Sequence, residues 1–176
     1  DANEVVEAWR VIIEMKHEPV ALILSRQALP TLDRTKYAPA SALRRGAYIL
    51  SVAADGKPQV LLLATGSEVS LCVGAQEALK KQGVEARVIS MPSWKLFEDQ
   101  DEAYRESVIP SNIRARVSVE QAARFSWERY VGLDGARIGM RTFGESAPLQ
   151  KLMQKFGFTV DAVVAAALEQ INKGKN

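Results

Sequence analysis

The run VLLLATGSEVSLCVGAQEALKKQGVEARVIS, residues 60–90, decides the fold. Its first four residues are all apolar, too few for a helix and continuous enough for a strand buried on both faces. Thr65-Gly66-Ser67 turns the chain, Ser67 is placed to cap a helix running to about residue 82, and Gly83 stops it. Residues 84–90 then make a second strand. Upstream, residues 47–52 read as another strand, separated from residue 60 by Asp55-Gly56-Lys57-Pro58. Asp-Gly in that setting is a hairpin signal, so the sheet is expected to start antiparallel, with 47–52 beside 60–63. Downstream come a helix over 101–108, a strand over 115–120, a short helix over 125–131 and a short strand over 137–140. This alternation argues a largely parallel sheet with helices on its faces. The chain closes with a helix over 148–156, a break at Gly157, and a last helix carrying Val160, Val163, Val164, Ala167, Leu168 and Ile171 as one apolar stripe.

The amino-terminal part is written differently. Asp1-Ala2-Asn3-Glu4 has the spacing of a capping box, and Val5, Trp9, Ile12 and Ile13 recur at helical spacing, which predicts an amphipathic helix over residues 2 to about 16. Pro19 ends it. Residues 20–24 repeat the pattern of a strand buried on both faces, with Ser25-Arg26-Gln27 just past its carboxyl end. From residue 30 to 45 the chain carries Pro30, Asp33, Pro39 and several basic residues without a sustained period, and reads as an interdomain linker. A first residue Asp1 rather than Met, set directly on a helix start, suggests a piece of something longer.

Composition excludes several classes. With 23 basic and 21 acidic residues interspersed over 176, the net charge of +2 leaves no electrostatic footprint for nucleic acid or an acidic membrane. Cys72 is the only cysteine and His17 the only histidine, so an internal disulfide and any site needing two imidazoles are excluded. No apolar run approaches the roughly 20 residues of a membrane span, and no secretion signal is present, so the chain reads as cytoplasmic.

Few residues point to chemistry on their own. The turn 64–67 offers free amides at a helix start, but one glycine and a capping Ser are equally what a plain turn needs, and the spacing is not that of a phosphate loop. The missing glycine fingerprint also argues against an autonomous nucleotide-binding module. Glu120-Gln121 at a strand end either places a carboxylate in a cleft or serves an interface or a helix cap. Cys72, inside a helix beside Val69 and Val73, reads as a small apolar residue, and His17 as a solvated helix-end residue. Trp94, Phe97, Phe125 and Trp127 either fill the space between sheet and loops or anchor a partner. Arg26, at a strand end, asks for an anion, carboxylate or phosphate.

The sequence resembles the transketolases over essentially its whole length. The resemblance rests on Asp1-Ala2-Asn3-Glu4, Leu24-Ser25-Arg26-Gln27, Ala64-Thr65-Gly66-Ser67-Glu68-Val69, Ser90-Met91-Pro92-Ser93-Trp94 with Phe97, and Tyr104-Arg105-Glu106-Ser107-Val108. Further markers are Arg116-Val117-Ser118-Val119-Glu120, Ile138-Gly139-Met140, Phe143-Gly144-Glu145-Ser146-Ala147-Pro148 and Phe156-Gly157-Phe158-Thr159. Arg141 and Glu145 depart from the pattern, since many members carry an acidic and a small residue there.

The resemblance implies a three-layer α/β module with a mostly parallel sheet and one antiparallel edge strand, preceded by a helix–strand remnant of another α/β domain. It assigns residues 1–30 to the end of an aminopyrimidine-binding domain, 31–45 to a linker and 46–176 to the carboxy-terminal domain. It implies a parent enzyme that transfers a two-carbon ketol unit between sugar phosphates, using thiamine diphosphate and a divalent cation, magnesium or calcium, as a homodimer. This portion would hold no cofactor and no catalytic residue, and its partners would be the remaining domains. One site residue carries over: Arg26 resembles the arginine that binds the substrate's phosphate end. The rival reading is a separately encoded, non-catalytic subunit.

Overall fold

The computed structural model describes residues 1–54 and 56–174. Helix α1 spans Ala2–Glu14, and the capping box forms as the spacing requires: the Asp1 side chain accepts from the Glu4 amide while Glu4 reaches back to residue 1. No strand follows. Residues 20–24, expected as a buried strand, run as irregular chain, with Val20 44%, Ile23 88% and Leu24 58% exposed. A buried strand needs neighbouring strands to take its backbone hydrogen bonds, and none of the described strands pairs with residues 20–24. Residues 31–45, expected as a linker, are folded onto the module: Ala40–Arg45 forms a 3₁₀ turn with Ala40 and Leu43 buried.

The sheet is built from β1 (Tyr48–Ser51), β2 (Val60–Ala64), β3 (Ala86–Ser90), β4 (Arg116–Ala123) and β5 (Ala136–Met140). Its order is β1-β3-β2-β4-β5, with all pairs parallel except β1 with β3. The module is therefore α/β with one antiparallel edge strand. The expected hairpin does not form: β1 lies beside β3, with Tyr48 opposite Ser90. Burial explains the choice. Every residue of β2 is buried, so it needs a neighbour on each side, whereas the alternating burial of β1 suits an edge. Part of the turn signal, Asp55, lies outside the described residues.

Period two in β2 sends Val60, Leu62 and Ala64 into one layer and Leu61 and Leu63 into the other. The first layer is closed by α2 (Val69–Lys80), α6 (Leu149–Phe156) and α7 (Val160–Lys173), through Cys72, Leu79, Met153, Phe158 and Val163. The second is closed by α3 (Trp94–Glu98), α4 (Glu102–Val108) and α5 (Glu128–Val131), where Phe97, Trp127 and Tyr130 meet edge to face or tilted, with Trp94 against them. Helix α3 was not foreseen, although Ser93 caps it by accepting from the Leu96 amide. Gly46 joins the 3₁₀ turn to β1 at φ +82°, and a Cβ there would meet the Phe97 amide nitrogen at 2.1 Å, so only glycine lets α3 close over the strand. Among the described residues no helix is long and apolar enough to cross a membrane.

Candidate functional site

From β2 the chain moves to β3 on one side and then back past β2 to β4 on the other. The carboxyl ends of β2 and β4 thus flank a topological switch point, where open α/β sheets usually bind ligands. Here that crevice is occupied by protein. Gly66–Glu68 forms a 3₁₀ turn, and Ser67 does not cap α2 but donates its hydroxyl to Glu68 Oε1 at 2.6 Å. The Glu68 carboxylate turns inward, is 3% exposed, and accepts the Gln121 amide at 3.1 Å. Burial pushes its carboxyl above the usual carboxylate range, the nearby Glu120 adds to the rise, and the two donors oppose it. Glu120 accepts from Trp127 Nε1 at 2.7 Å, which makes it a support for the aromatic layer. With two carboxylates beside it, the turn 64–67 is no anion cradle.

A second polar cluster fills the same edge at β1 and β3. Tyr48 and Ser90 both donate to Glu4 Oε1, at 2.7 and 2.6 Å, and Arg34 donates to the Tyr48 hydroxyl at 3.1 Å and to Asp1 at 2.9 Å. Asp1 also accepts the Leu32 amide at 2.9 Å. Burial, with the Glu4 charge, pushes the Tyr48 phenol upward, so it remains a donor. The network ties the start of α1 and residues 32–38 to the sheet.

The structure places Arg26 in the irregular segment after residue 24, exposed to solvent. Among the described residues it makes no hydrogen bond or ion pair, and no other candidate residue is brought to it. Cys72 is fully buried, and burial pushes its thiol upward, away from reactivity. His17 is exposed. Among the described residues no group of three or more His, Cys, Asp or Glu side chains is arranged to hold a metal ion, so the residues present do not fit a divalent-cation centre.

Sequence reasoning missed Glu68, which looked like the first residue of a helix capped by Ser67. Its inward turn depends on Gln121, 53 residues away. A buried role for Glu4 was likewise hidden behind its capping function.

A family model for the transketolase-like TK C-terminal domain matches residues 46–159. The chain belongs to this transketolase C-terminal domain family. Transketolase 1 of Escherichia coli is 52% identical over 169 residues, covering 96% of this chain and 25% of the relative. The transketolase of Geobacillus stearothermophilus is 49% identical over 164 residues, covering 93% and 25%. Among solved structures, transketolase from Leishmania mexicana superposes with a TM-score of 0.89 at 38% identity, over 98% of this chain and 24% of that one. A split gene transketolase described as an inactive beta4 tetramer shares the fold, with a TM-score of 0.64 at 20% identity over 84% and 48%. The chain spans about a quarter of the length of the curated transketolases it matches.

Proposed function

We propose that this chain is the carboxy-terminal portion of a thiamine-diphosphate-dependent transketolase, an enzyme of two-carbon ketol transfer between sugar phosphates in the pentose phosphate pathway. The observation that carries the reading is the state of the first 30 residues. Trp9 and Ile13 of α1, with Ile23 and Leu24 of the following segment, are exposed apolar residues next to a segment that has strand composition and no sheet. Large apolar residues left exposed over one stretch of chain ask for a covering surface. The proposed cover is the rest of an aminopyrimidine-binding domain ending at about residue 30, with residues 31–45 leading into the carboxy-terminal domain at 46–176.

In that parent, a cytoplasmic homodimer, thiamine diphosphate with magnesium or calcium supplies the carbanion chemistry when bound. This chain's residues do other work. The five-stranded module supports association, and Arg26, unpaired here, is free to hold the sugar phosphate away from the reacting carbonyl, which positions the substrate without touching the bond that breaks. The polar network of Glu4, Tyr48 and Ser90 sets the angle at which α1 leaves the module.

The second reading, a separately encoded non-catalytic subunit, draws support from the split gene transketolase that shares this fold. A reading frame continuous upstream of Asp1 favours the first and a start codon close before it favours the second. Both predict that the purified chain gives no stoichiometric, magnesium-dependent heat on calorimetric titration with thiamine diphosphate; such heat would contradict them.

A further inference from the structure

Strand β4 outruns β2: its last pairing with β2 is Ala64 to Val119, yet it continues to Ala123 beside β5. Between Val119 and Ala123 the β4–β5 ladder slips register, a distortion that re-aims side chains. Beyond this slip the two strands and the loop after Met140 line an open surface cleft of about 650 Å³, within the volume range of small-molecule sites. It is lined by Arg124, Arg137 and Arg141 together with Phe125, Phe143 and Glu128.

Charge accounting gives the ligand's class. Arg137 donates to Glu128 at 3.2 Å, so these two charges answer each other. Arg124 and Arg141 have no hydrogen bond or ion pair among the described residues. The cleft therefore presents two uncompensated guanidinium groups. Arg124 is held there by packing: a Cβ on Gly139 would lie 2.5 Å from Arg124 Cγ, so the arginine stem crosses β5 in space that only glycine leaves. The backbone invests in the same place. Ser126 sits at φ 70°, a region that side chains other than glycine rarely adopt, immediately after Phe125, which is 82% exposed. Phe143, which also lines the cleft, is 95% exposed.

We propose that this cleft binds a small dianion, a phosphate monoester or a dicarboxylate, whose charge is met by Arg124 and Arg141 and whose body lies against Phe125 and Phe143. Two planar forks match two negative charges on neighbouring oxygens, and the volume exceeds that of the anionic group, leaving room for an attached ring or short carbon chain.

The test is isothermal titration calorimetry of the full chain with phenyl phosphate, phthalate and, as the neutral control, phenol, at constant ionic strength. Saturable binding at a single site is expected for at least one of the two dianions and none for phenol. A tenfold preference between the dianions assigns the ligand to phosphates or to carboxylates, and equal affinity assigns it to dianions in general. Replacing both arginines with Met keeps the stem over Gly139 and should weaken binding about ten- to a hundredfold. The single exposed variant Arg141→Ala, which cannot disturb the core, should lose affinity as well. Phe143→Ser should weaken phenyl phosphate more than inorganic phosphate. The proposal is overturned if neither dianion binds saturably, or if the double variant, with an unchanged melting curve, binds as well as the native chain.

Discussion

Arg26 lies exposed in an irregular segment and has no hydrogen-bond or ion-pair partner among the described residues, and the role proposed for it is to hold the substrate's phosphate. In the full-length parent, Arg26→Ala should lower specificity for phosphorylated sugars about ten- to a hundredfold, the size of a charged hydrogen bond to phosphate. Unphosphorylated substrates and thiamine binding should be nearly unaffected, and steady-state kinetics on both substrate classes checks this; equal losses on both would remove Arg26 from the site. Glu68 carries a pH signature. Its folded-state affinity for a proton is raised, so the folded chain holds more protons than the unfolded one, and stability declines as pH rises from the ordinary carboxylate range through the raised value. Glu68→Gln removes that penalty. The melting temperature of the variant relative to the native chain should therefore rise as the pH is raised above the ordinary carboxylate range, and a difference that is flat or falls with pH would contradict this account. Of these two residues the sequence singles out only Arg26, through its motif, as a candidate. The orientation of Glu68 is set by a contact across the switch point that no local pattern encodes.

Helix boundaries that depend on local chemistry read well: α1 starts at its capping box, and α4 at Asp101, which accepts the Tyr104 amide at 2.7 Å. Pairings set by burial read poorly. The Asp-Gly signal argued for β1 beside β2, but a strand buried along its whole length competes for two neighbours and displaces the half-buried one to the edge. The pattern over residues 20–24 argued for a buried strand and the structure has none there, because hydrogen-bonding partners, not composition, make a strand. The docking of α1 rests on Glu4, whose carboxylate gathers donors from β1 and β3. Tyr48→Phe removes one of them from a buried acceptor and should cost about 1–3 kcal/mol. For a chain of this size each kcal/mol lowers the melting temperature by about 2–4 °C, so a fall of several degrees is expected by circular dichroism. An unchanged melting curve would mean that the network does not hold the helix.

At the scale of the molecule, a three-layer module with its switch point filled by its own carboxylates joins an amino-terminal segment whose apolar residues face outward. The role proposed for the module is support, and Arg26, the arginine proposed to hold substrate, lies outside it. Fold class was legible because alternation of strand and helix is a local pattern repeated along the chain; the filling of the crevice was not, because it depends on residues such as Glu68 and Gln121, 53 positions apart. The central claim, that this portion supports ketol transfer without performing it, is tested most directly by assaying the purified chain for ketol transfer from a ketose phosphate to an aldose phosphate, with thiamine diphosphate and magnesium present and an intact transketolase as control. The account predicts no turnover above the protein-free blank; turnover that follows the concentration of the purified chain would contradict it.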